Sequence, residues 1–265
     1  MTQHARQRPQ RPAVTGTRLA IAAARAASVN AGLAMEALGG NAMDAAVAAA
    51  FVAGTVEPME TSLAGSGFLL VHDQGETRCV EFGPRAMLAA RADMFRIDTN
   101  RVQDGGLVVS AVEGNANTDG PLAAGVPATI PGLITAHARW GRLPLSAVLQ
   151  PAIAAARDGF AADGYFALEA LSCLAALRAD PGCSELFLVD GLPPVAPHLG
   201  VGVMGPPRMI RQPGLAATLE RLAARGMAAW HEEVGPALVE THREKGGLLR
   251  TEDLQRAPAI RAPLI

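Results

Sequence analysis

The side chains able to do covalent or metal chemistry are few and scattered in this sequence of 265 residues. Its histidines, His4, His72, His137, His198, His231 and His242, show no metal-ligand spacing. His231 and His242 fall near one face of a predicted helix, but no carboxylates join them into a site, and a structural or surface role is expected of every histidine. Ser66 lies between Gly65 and Gly67, as the serine of an esterase turn would, yet the residues that should precede such a turn are missing. A tight turn into a strand beginning at Phe68 is expected there. The same glycines lack the lysine and helix start of a phosphate-binding loop. Cys79, Cys173 and Cys183 are odd in number and lack metal spacing; Cys173 and Cys183 could pair, but buried free thiols in a reducing compartment are the simpler expectation. Asp44 and Glu57, beside apolar segments, are expected as a cap or a buried partner. Residue chemistry alone identifies no nucleophile.

The elements that would position these groups are mostly helical. The spacing predicts a helix over Val29–Leu38, stopped by Gly39-Gly40, then a second helix capped by Asn41, with Asp44 in its first turn facing the positive end of the helix dipole. Ala45–Ala53 carries small side chains all round, which implies a buried helix packed through close backbone approach. Gly67–His72 and Thr77–Phe82 flank the polar Asp73-Gln74-Gly75-Glu76, a hairpin signal. Asp98–Gly120 is read as loop, with one strand at Leu107–Val112. Helices are predicted over Pro131–Trp140, Pro144–Phe160 (broken or kinked at Pro151), Phe166–Arg178, Leu215–Ala224 and Met227–Lys245. Gly191–Pro213 reads as a proline-rich connection. Thr251 is placed to cap a short last helix, and Ile260–Ile265 looks like a strand opening without a partner. The helices and hairpin together predict an α+β layered domain over 13–265, behind a disordered basic lead-in over 1–12.

Composition narrows the function classes. Half the chain is apolar (49%) and only 18% charged, which excludes a disordered chain. A net charge of -2 and only 2 Trp, 1 Tyr and 7 Phe offer neither a phosphate-neutralising surface nor stacking platforms, so no nucleic-acid partner is expected. No stretch reaches the roughly 18 apolar residues of a membrane span. The basic first residues lead into no apolar signal core, which favours the cytoplasm. No cofactor is expected.

The motifs, taken in order, resemble the gamma-glutamyltranspeptidase family. Gly39-Gly-Asn-Ala-Met-Asp-Ala-Ala-Val-Ala-Ala-Ala50, Val56-Glu-Pro58 and Ala64-Gly-Ser-Gly-Phe68 are similar to its amino-terminal signature. Gly125-Val-Pro-Ala-Thr-Ile-Pro-Gly132, Gly141-Arg-Leu-Pro144, Pro151-Ala-Ile153 and Asp158-Gly-Phe160 are similar to its next block. Gln212-Pro-Gly-Leu-Ala-Ala-Thr-Leu219, Gly246-Gly-Leu-Leu249 and Glu252-Asp-Leu254 are similar to a third. The likeness runs from about Pro12 to Ile265 and is weak over Val102–Asp119.

The resemblance implies a four-layer αββα sandwich of the N-terminal-nucleophile hydrolases. It also implies a self-cleaving precursor whose new amino-terminal threonine attacks, with its own α-amine as base, and moves a γ-glutamyl group from glutathione or a related amide to water or an amino acid. Two departures follow. The likeness covers only the front of a large subunit, and none of this chain's threonines sits in the cleavage motif, so no catalytic residue is assigned and a small-subunit segment is the expected missing partner. Secondly, the family's carboxylate-binding arginine falls on Gly83, and Arg85 is the expected substrate ligand if Gly83-Pro84 reshapes the turn. Besides a γ-glutamyl acyltransferase, whose front alone should be inactive, two readings stay open: a noncatalytic relative that binds a partner or is a remnant, and an acylase of the same fold acting on a different amide.

Overall fold

Asn41 opens the central helix, and its surroundings explain why the chain folds as it does there. In the computed structural model, which describes residues 15–103, 109–194 and 207–262, α1 (Ala26–Ala37) ends at Leu38, and Gly39 follows at φ 81°. Gly40 N–H reaches back to the Met35 carbonyl at 2.9 Å, closing the left-handed stop expected of this glycine pair. Asn41 then caps α2 (Ala42–Val56): its side-chain oxygen accepts from Met43 and Asp44 N–H, while the Asp44 carboxylate accepts from Asn41 N–H at 2.8 Å. The helix is buried along most of its length. Only Ala42 and Ala46 are exposed, so its alanines serve as contact surface for α1 and for α4 (Leu145–Asp158).

The hairpin forms as expected, from β1 (Gly67–Asp73) and β2 (Glu76–Phe82), with Asp73 opposite Glu76. Gln74 at φ 50° and Gly75 at φ 81° make the two-residue turn whose twist matches the strands. One sheet face carries Leu69, Val71, Val80 and Phe82 onto α3 (Thr129–Trp140). Gly132 makes that contact possible, because a Cβ there would meet the Phe82 ring at 2.3 Å. The other face leaves Phe68 63% and Leu70 70% exposed. The main core joins this sheet to the helices through Phe51, Met35, Leu149, Ile153, Leu219 and Trp230, each such side chain contributing roughly 1.5–3 kcal/mol by burial.

Several expectations are corrected. Ile97–Gln103 is β3, read from sequence as loop, and pairs with β4 (Val109–Val112) across a register irregularity. β3 is as long as β1 and β2, but it is polar and irregular and lacks the clean alternation that would have marked it. α4 runs through Pro151 without a break. The proline removes one bond, to the Ala147 carbonyl, on a half-buried flank where water can replace it. Beyond β5 (Phe160–Ala161), the helix foreseen over Phe166–Arg178 is two: α5 (Gly164–Ser172) and α6 (Leu174–Ala179), parted where Cys173 leaves helical backbone at φ -114°, ψ 22°. A further helix, α7 (Pro181–Phe187), follows under an Asp180 cap. The connection read over Gly191–Pro213 holds β6 (Met209–Ile210), which pairs with β5. α8 (Pro213–Arg225) forms as expected. Met227–Lys245 is not one regular helix: α9 (Met227–Ala229) passes through a π-helical turn at Trp230–Val234 into α10 (Gly235–Glu244).

Thr251 does not cap the last helix, α11 (Thr251–Leu254); it is the first residue inside it, after Arg250. The segment thought unpartnered is β7 (Ala259–Arg261), which pairs antiparallel with β2, Ile260 opposite Val80. The cysteines are free thiols, but none is fully buried as expected: Cys173 is exposed, and Cys79 and Cys183 are half-buried. The lead-in over 1–12, His4, His198, Leu107, Val108 and Pro263–Ile265 lie outside the described residues. Among the described residues, no helix is long and apolar enough to cross a membrane.

Candidate functional site at the end of the hairpin

The end of β2, where Phe82 runs into Gly83-Pro84-Arg85, separates two hollows. The larger, about 750 Å³, lies on the Gly67 and Phe82 side. Its floor is apolar, from Ala50, Ala53 and Leu133, and its wall carries charges that the chain brings together from far apart. Arg25, just before α1, bonds to Asp163, which is 138 residues away, and its Nε lies 3.3 Å from Glu57. Its guanidinium also sits 5.3 Å from the centre of the Tyr165 ring. Tyr165 in turn donates its hydroxyl hydrogen to Glu60.

The electrostatics of this cluster are those of satisfied groups. Burial works against the Arg25 charge, but the hydrogen bond to Asp163 and the fields of Asp163 and Glu57 outweigh it and hold its pKa above the ordinary value. Burial likewise opposes the Asp163 charge, and the Phe166 N–H with Arg25 overcomes it, holding the carboxyl below its ordinary value. The bond to Glu60 pushes the Tyr165 hydroxyl up to about 12. Glu57 is a buried partner, as expected, at 5% exposure. Ser66 lines this hollow at the turn into β1, as expected, and Thr61 and Thr129 line it too. No sequence signal pointed to Arg25, Glu60, Asp163 or Tyr165, because their meeting depends on α1, α2 and α5 converging.

The second hollow, about 400 Å³, lies beyond Pro84 and holds Arg85. Met87, Met94, Phe95, Leu122 and Leu248 supply its large apolar side chains, with alanines and Asn117 between them. Arg85 Nη2 donates to the Arg256 carbonyl at 3.3 Å, and its Nε is buried without an acceptor. Burial, then the nearby Arg256 charge, depress the guanidinium's pKa. Gly83 and Arg85 therefore serve different spaces: Gly83 abuts the exposed Phe68 ring, where a Cβ would come within 2.6 Å, whereas Arg85 lines only the smaller hollow of the two.

The histidines are dispersed. His137 is buried, with Nε2 3.2 Å from Asp44, and His242 Nδ1 accepts from Leu249 N–H at 3.1 Å. Exposed His72 bonds to Thr77 at 2.9 Å across the hairpin. His231 lies in the π-helical turn, exposed. Among the described residues, no three His, Cys, Asp or Glu side chains converge as a metal site requires.

Comparison with known proteins supplies what this geometry leaves open. A profile of gamma-glutamyltranspeptidases matches residues 28–264. Glutathione hydrolase 3 of Arabidopsis thaliana is 33% identical over 220 residues, 82% of this chain and 31% of the plant protein. Acylase ACY 1 proenzyme of a Pseudomonas strain is 32% identical over 218 residues, 82% of this chain and 37% of the acylase. The structure of a gamma-glutamyltranspeptidase from Pseudomonas nitroreducens, solved in complex with L-DON, superposes with a TM-score of 0.76 at 29% identity, covering 94% of this chain and 68% of that one. The chain thus spans about a third of the length of the curated relatives it matches. With matched motifs, fold and profile in agreement over nearly all the described residues, this chain belongs to the gamma-glutamyltranspeptidase family.

Proposed function

We propose that this chain is the front, substrate-shaping part of an enzyme that transfers an acyl group from a γ-glutamyl-type amide to water or an amino acid. The threonine nucleophile would come from a segment outside the 265 residues. Its hydroxyl would attack the amide carbonyl while the threonine's α-amine takes the proton and returns it to the leaving amine; water or an amino acid would then release the acyl group. The observation that carries the reading is the family match over 28–264, in which the hairpin ends beside two hollows able to house parts of a small molecule. The outer sheet face, with Phe68 and Leu70 exposed, and β1 at the edge of its sheet are where a second sheet would complete a four-layer αββα sandwich. Arg85 is the proposed contact for a carboxylate of the donor.

A second reading, an acylase for a different amide, is favoured by one feature: Gly83 offers no side chain where the family arginine would stand. The test is to sequence the gene beyond codon 265 and to assay the extended protein for amine release from a chromogenic γ-glutamyl anilide. A threonine-led segment with turnover supports acyl transfer. A stop directly after the codon for Ile265 overturns it in favour of a noncatalytic binding relative.

A further inference from the structure

Arg85 is a cation without a counter-ion. Of its five N–H donors, one bond is made, to the Arg256 carbonyl, and among the described residues no carboxylate lies within ion-pair distance of it. The two acids whose fields reach it, Glu81 and Asp253, are already engaged: Glu81 pairs with Arg261 at 2.8 Å, and Asp253 accepts from Leu88 and Arg250 N–H at 2.7 and 2.9 Å. Arg256 adds a second positive charge that pairs with no acid among the described residues. A half-buried guanidinium in this state keeps N–H donors to spare for an anion. The space in front of it has a definite character as well. The residues lining the hollow include no Asp or Glu, and its walls are largely methionine, leucine, phenylalanine and alanine.

We infer that the Arg85 hollow binds a carboxylate carried on an apolar body with no ammonium group beside it. An α-amino acid brings an ammonium next to its carboxylate, and that ammonium would lose water with no acidic side chain to receive it and two arginines to repel it. A plain carboxylate also gives up water, but it gains a fork of N–H donors for its oxygens and apolar walls for its chain. The inference rests on the acyl-transfer reading only for its meaning, where it sharpens the second form of that reading, an acylase whose amide donor is a des-amino acid rather than a γ-glutamyl group; the binding itself needs no nucleophile.

The test uses three six-carbon probes with the full chain at neutral pH, read by ligand-observed NMR or calorimetry: hexanoate, norleucine and hexylamine. Hexanoate should bind about tenfold or more tightly than norleucine, and hexylamine should not bind. R85A should weaken hexanoate at least about tenfold, as loss of a charge-assisted contact does, and R85K should restore part of it. A123D, at an exposed position on the rim, should reverse the order by giving the ammonium a partner without touching the core. Equal or tighter binding of norleucine, hexanoate binding that survives R85A, or no binding of any probe would each overturn the inference. A stop directly after the codon for Ile265 would sink the acyl-transfer reading while leaving these outcomes as informative as before.

Discussion

The two ends of this molecule's charged interior behave in opposite ways. At the start of α2, Asp44 is fully buried, yet its two oxygens accept from Asn41, Arg142 and Leu143 N–H at 2.8 to 3.2 Å. Asn41 adds a bond from its side-chain nitrogen to the Trp140 carbonyl at 2.7 Å. That carboxylate rivets the helix start to the turn between α3 and α4. At the end of β2, Arg85 is only half-buried, and it is far less satisfied. A charge surrounded by its own chain's donors is structure; a charge left wanting at the wall of a hollow is a site.

Removing the Asp44 carboxylate should break that contrast most severely. Asp44→Ala removes a fully buried carboxylate and leaves the N–H groups of Asn41, Arg142 and Leu143 without their acceptor, and should cost about 3 kcal/mol in urea unfolding, as losses from buried networks do. Asn41→Ala, which loses the cap and the bond to Trp140, should cost about 1–2 kcal/mol by the same measurement. Arg85→Ala should change stability by less than about 0.5 kcal/mol in either direction, because an unpaired charge contributes little to hold the fold. A cost near that of Asp44→Ala would show that Arg85 is structural and would dissolve the comparison.

Gly83→Arg sharpens it from the other side. Phe68 is exposed and can swing away, so the chain should fold, and in the extended enzyme KM for a γ-glutamyl anilide should fall; an unchanged KM would show that position 83 does not face the donor. The smallest effect is an acid one. The bond from Lys245, with the Cys183 N–H, lowers the Asp180 carboxyl from 3.8 to about 2. A depressed folded-state pKa stabilises above the unfolded value and loses that contribution as pH falls from about 4 towards 2. Asp180→Asn should flatten the stability–pH curve in that window alone.

Much of the fold was legible because its signals are local. Asn41 with Asp44 three residues on, Gly39 after a helix, and Gln74-Gly75 between apolar runs each act through bonds spanning a few residues, and each stands where expected. β3 was missed because its pairing with β4 depends on a partner rather than on alternation. The break at Cys173 was missed because no proline or glycine announces it. Of the candidate site, Arg85 was identified as a residue but its surroundings were not. The Arg25, Asp163, Glu60 and Tyr165 cluster left no trace at all, since its members are separated by 105 residues or more across their bonds.

The sequence by itself determined the caps, the stops, the hairpin turn, the small-residue helix and, through the order of its motifs, the family. Only the tertiary structure decided which charges meet and which stay alone. Caps and turns are written in the torsions and donors of neighbouring residues, whereas the fate of a charge depends on which distant elements are packed against it and on how much water they leave.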